Sequence, residues 1–93
     1  MENITAAGNT EVPAYLALQQ EGLKVERRLL ENGTELWIAS NESGQYSAPS
    51  PLELLGIYSM RQIRGGEWKA SDDEIQTFLA AYYPNALPTE NDG

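Results

Sequence analysis

Two runs in which apolar and polar residues alternate, Leu23–Leu30 and Glu35–Ser40, are separated by Glu31-Asn32-Gly33-Thr34. An Asn-Gly pair in that position is the strongest short-range signal for a β-hairpin, because a tight turn needs positive φ and these two residues reach it at least cost. The sequence is thereby committed to an antiparallel sheet. If Asn32 and Gly33 are the two loop residues, Leu29 faces Leu36, Arg27 faces Ile38, Arg28 faces Trp37 and Val25 faces Ser40. Register then fixes the faces. Leu23, Val25, Leu29, Leu36 and Ile38, with Arg27 among them, form the expected core face. Lys24, Glu26, Arg28 and Leu30 lie opposite, with Trp37 and Ala39.

Helical signals flank the hairpin. Thr10 is a good N-cap, Pro13 falls in a first turn where its missing N–H costs nothing, and Gly22 can take a left-handed C′ position. A helix is therefore expected over about 11–21, with Val12, Tyr15, Leu16 and Gln19 on its apolar stripe and Leu18 widening it. Asn41-Glu42-Ser43-Gly44 is a second turn, after which Gln45–Ala48 returns as a short third strand before Pro49. Ser50-Pro51-Leu52-Glu53 has the pattern of a capping box with proline at N1, and opens a helix that Gly65-Gly66 ends. Ser71-Asp72-Asp73-Glu74 repeats the box before Ile75, Phe78, Leu79 and Tyr82, whose spacing predicts an amphipathic third helix closed by Pro84. The expected fold class is α+β, a small two-layer domain in the order α-β-β-(β)-α-α, its antiparallel hairpin or meander packed against the helices. With 93 residues the chain can close one core, expected over 11–84, between flexible tails at 1–10 and 85–93.

Composition narrows the chemistry. There is no cysteine and no histidine, which removes disulfides, thiol nucleophiles, Cys/His zinc sites and imidazole bases. Asp72-Asp73-Glu74 is explained by the positive end of a helix dipole, without a metal ion. Glu90-Asn91-Asp92-Gly93 stops short of the closing glutamate a calcium loop requires. Gly65-Gly66 follows a helix and lacks the Lys-Ser/Thr of a phosphate cradle. No cofactor is implied. The formal charge of −8 argues against nucleic acid and anionic membranes. Arg61, Arg64 and Lys69 lie at the junction of the last two helices. A DNA-reading helix there would have to present Asp72, Asp73 and Glu74 to phosphates. Gly56 and Ser59 make a small-residue notch, expected to serve close packing. Trp68 is expected to pack over the loop between the helices. No apolar run approaches the roughly 20 residues of a membrane span, and no export signal opens the sequence, so a soluble cytoplasmic protein is expected.

What remains is a recognition surface. Arg28, Leu30 and Trp37, on the face away from the expected core, are of the types that dominate interface hot spots, unless the first helix lies over that side and makes Trp37 part of the core. The sequence thus points to a non-enzymatic protein-interaction module that binds a protein partner or a second copy of itself. An acidic inhibitor occupying a basic nucleic-acid- or effector-binding site is the alternative suggested by the charge. An enzyme using paired carboxylates comes third.

Overall fold

The computed structural model describes residues 2–5 and 8–86. The element order is α1 (Glu11–Gln20), β1 (Lys24–Leu29), β2 (Glu35–Asn41), β3 (Gly44–Ala48), α2 (Pro51–Arg64) and α3 (Asp72–Tyr82), with short 3-10 turns at Gly65–Glu67 and Pro84–Ala86. The strands form one antiparallel meander in the order β1-β2-β3. The α+β class and element order follow the sequence expectation. Most of the C-terminal tail anticipated at 85–93, and the Glu90–Gly93 segment, lie outside the described residues.

α1 ends in a Schellman motif. Gly22, at φ 89°, donates its N–H to Gln19 O at 2.9 Å, and Leu23 donates to Leu18 O at 3.1 Å. This turn brings Leu23 onto Leu18, and both enter the core with Ala39, Ala48, Leu54 and Tyr58. The buried side of α1 is therefore Ala14 and Leu18, while Val12 and Leu16 are exposed, so the expected stripe is rotated. Thr10 occupies the N-cap without a side-chain bond.

The hairpin register is shifted by one residue from the sequence expectation. Lys24 faces Ser40, Glu26 faces Ile38, Arg27 faces Trp37, Arg28 faces Leu36 and Leu29 faces Glu35. The cause is the loop. Only Gly33, at φ 88°, is left-handed, and Asn32 is not. Leu30 N–H donates to Thr34 O at 2.8 Å, and Gly33 N–H returns to Leu30 O at 2.9 Å. The connection is thus a three-residue loop, a type I turn closed by a left-handed glycine. The Asn32 side chain prefers another task, because its Oδ1 accepts from Thr34 N at 3.1 Å and Thr34 Oγ1 at 2.7 Å. Moving one strand by one residue exchanges its faces. Leu23 and Val25 meet Trp37 and Ala39, then Tyr46 and Ala48, on the side that the helices cover. Leu36 and Ile38 share the opposite face with Arg28, Ile38 being buried there as expected of a core residue, and Leu29 is exposed.

α2 lies on the covered side, burying Pro51, Leu54 and Tyr58. Ser50 Oγ accepts from Glu53 N at 3.2 Å, but Glu53 does not complete the box. Glu11 from α1 instead takes the Leu52 N–H at 2.9 Å, tying the starts of the two helices together. Gly65, at φ 84°, ends α2 as expected. The Ser71/Glu74 capping box of α3 is complete. The apolar face of α3 does not enter the core, however: Ile75, Phe78 and Tyr82 are exposed and α3 buries no side chain. Arg64 fixes the junction by donating from Nε to Trp68 O at 2.9 Å and bridging Glu74 at 3.2 Å. The notch at Gly56 receives no close neighbour. An added Cβ there would meet only Met60 Cε, at 3.8 Å.

Candidate functional site

Alternation along the central strand puts Glu35 and Trp37 on the helix-covered face at the end of the sheet nearest the hairpin loop. Arg27 lies directly across from Trp37. α1 contributes Glu11, Val12 and Tyr15 to the same place, and the start of α2 contributes Ser50 and Pro51. Together with Val25 these residues line a cleft of about 580 Å3. Its walls are mainly apolar: Val12, Val25, Pro51 and two aromatic rings, with Tyr15 edge-on to Trp37 at 6.5 Å between centroids. Trp37 is half-buried and rests against the core.

Glu35 organises the mouth. One carboxylate oxygen accepts from Trp37 Nε1 at 2.9 Å and the other from the Arg27 guanidinium at 2.9 Å. The bond from Arg27, followed by that from Trp37, holds the Glu35 carboxyl below its usual range, and Glu35 raises the Arg27 guanidinium in turn. The indole orientation is thereby fixed by a charge-assisted bond before anything binds. Tyr15 Oη is already engaged, accepting from Gln19 Nε2 at 3.0 Å. An apolar slot with a preset indole and one ion pair at its rim can grip an apolar side chain and orient a polar backbone beside it. Ser50 Oγ in its lining accepts the Glu53 N–H, while the Glu11 and Glu35 carboxylates accept from Leu52 N, Trp37 Nε1 and Arg27.

A larger depression, about 640 Å3, lies beside Gly22, Lys24 and the Asn41–Ser43 turn. It has no apolar anchor. Its most directional acceptor, Asn41 Oδ1, is spent on the amides of Ser43 and Gly44 at 2.8 and 3.0 Å. Among the described residues no group of three or more acidic side chains is placed to hold a metal ion. At the α2–α3 junction Arg64 is tied to Glu74, and Lys69 Nζ lies 5.8 Å over the Trp68 ring.

Of the three residues singled out from sequence, the fold separates Trp37 from the other two. Arg28 faces Leu36 on the opposite side of the sheet, and Leu30 sits in the hairpin turn. The neighbours of Trp37 are instead Arg27, Glu35 and Tyr15. Tyr15 was visible on the helical stripe, whereas Arg27 and Glu35 depended on a register that loop length alone decides. Compared with protein-family models, with curated proteins and with solved structures, the chain matches none. No helix among the described residues is long and apolar enough to cross a membrane.

Proposed function

We propose that this chain is a non-enzymatic protein-interaction module of the cytoplasm, and that its contact site is the Trp37 cleft. Its ligand is an extended segment of a partner protein that lays a proline or aliphatic side chain against Tyr15 and Trp37, beside Val12, Val25 and Pro51. The observation that carries this reading is the half-buried indole, preset by Glu35 and flanked by Tyr15, in a cleft otherwise lined by Val12, Val25 and Pro51. Aromatic-lined grooves of this type bind extended and proline-containing peptides, and a tryptophan held in place before binding loses little entropy on complex formation. The absence of histidine and cysteine supports a binding role over a catalytic one. Among the described residues no charged side chain is buried, which leaves a paired-carboxylate mechanism without a supporting observation.

Selection of displayed peptides on the folded protein tests the proposal. Sequences enriched on the wild type should contain an apolar anchor and lose at least tenfold in affinity to Trp37→Ala, while circular dichroism shows the fold retained. Peptides that bind Trp37→Ala and wild type equally, or selections that enrich none, would refute it.

A further inference from the structure

Among the described residues two apolar helix faces have no partner. On α3, Ile75, Phe78 (53% exposed), Leu79 and Tyr82 (70% exposed) form one stripe. On α2 the side opposite buried Leu54 and Tyr58 carries Leu52, Gly56, Met60 and Ile63, with Ile63 83% exposed. We infer that these faces cover each other between two copies of the chain, α3 of each protomer lying antiparallel on α2 of its partner in a reciprocal dimer.

Charge sets the direction. α3 begins with Asp72, Asp73 and Glu74 and has no cation in its last turn, whereas the last turn of α2 carries Arg61 and Arg64. An antiparallel arrangement brings Asp72 and Asp73 to Arg64, which flanks Met60 and whose Nη1 is not used in its bonds to Trp68 O and Glu74, and it sets the two helix dipoles antiparallel. Two α3 helices packed on each other would instead juxtapose segments that carry only negative charge. Shape agrees with charge. With Ile75 set against Ile63, the rise of the helix brings Phe78 to Met60 and Tyr82 to Gly56, where a missing side chain admits a ring. The stripe on α3 spans about 10 Å and fits within the roughly 16 Å of its counterpart.

The same contact is not made within one chain. The complete capping box and the double grip of Arg64 on Trp68 O and Glu74 hold the junction in a geometry that leaves Phe78 and Tyr82 in solvent. Area favours reciprocity: a single contact is too small for a stable complex, whereas two related by a two-fold axis bury on the order of 1,000 Å2, where specific interfaces begin. This interface is separate from the Trp37 cleft.

The absence of native cysteine makes a cross-linking test clean. Ile63→Cys and Ile75→Cys are introduced together and the protein is oxidised. A covalent dimer on non-reducing gels is expected, and equal amounts of the two single variants should yield mainly the mixed disulfide. Sedimentation equilibrium should show a concentration-dependent dimer that Phe78→Asp shifts to monomer by at least tenfold in dissociation constant. That variant keeps its sheet, because α3 contributes nothing to the buried core. A disulfide closed within one chain would overturn the inference in favour of intramolecular folding of α3 onto α2. A wild type that sediments as a monomer at all concentrations would overturn it as well.

Discussion

Leu16 and Leu18 are the same residue type, two positions apart on one helix, and the structure gives them opposite fates. Leu18 is 0% exposed at the centre of the core, with Leu23 folded onto it by the Schellman turn; Leu16 is 52% exposed. Leu18→Ala removes three carbons, worth about 2.4 kcal/mol at roughly 0.8 kcal/mol each. The cavity it leaves brings the expected loss to about 3 kcal/mol. A domain of this size has a total stability of about 4–11 kcal/mol. Since the core rests on few large side chains, this variant should lie near the edge of folding. Taking a urea slope of about 1–1.5 kcal/mol/M, its unfolding midpoint should fall by roughly 2–3 M. Leu16→Ala should change stability by less than about 0.5 kcal/mol. Urea titrations followed by circular dichroism, on dilute protein, compare the two directly. Equal losses at both positions would refute the rotated stripe and, with it, the placement of the Schellman turn.

Gly33→Ala should cost about 1–2 kcal/mol, because the position is left-handed although no atom would obstruct a Cβ there. Gly33→Asn should recover part of that loss, and an alanine variant as stable as wild type in urea would contradict the loop. At the start of α3, the Ser71 backbone N–H and then the Arg64 charge hold the Glu74 carboxyl below its usual value. Its folded-state value is thus depressed, so the stabilisation it gives the first turn is present above the unfolded value. That stabilisation is lost as pH falls through the lowered one. Carboxyl titration by NMR should find Glu74, like Glu35, displaced below its usual value, with amide protection at Ile75 lost on acidification and, at neutral pH, in Ser71→Ala; an ordinary Glu74 titration would sink the account.

The parts of this fold governed by local chemistry were legible in the sequence. Gly22 and Gly65 end their helices, Ser50 and Ser71 begin theirs, and the meander lies where the Asn-Gly and Asn41–Gly44 turns put it. Those features depend on hydrogen bonds and dihedral angles within a few residues. The register was not legible, because Asn32 can serve a tight turn either through its own backbone or through its side chain. Only the folded chain shows Oδ1 committed to Thr34. Every error of pairing across the hairpin follows from that choice, including that of Trp37 with Arg28 instead of Arg27. The fate of α3 was hidden for another reason. Amphipathic spacing records that a helix has an apolar side, but not which molecule supplies the surface it meets.

The three-residue hairpin loop makes the binding character of this domain a matter of length more than of composition. Deleting one residue between Leu30 and Thr34 would leave every strand and helix side chain unchanged, yet would favour the pairing in which Arg28 faces Trp37. β1 would then offer Lys24, Glu26 and Arg28 to the helices in place of Leu23 and Val25. Single substitutions in the cleft tune what it holds, whereas a one-codon change in the loop rewrites which half of the hairpin counts as inside. In any lineage of such domains, the spacing between the two strands should therefore vary less than the residues that line the cleft.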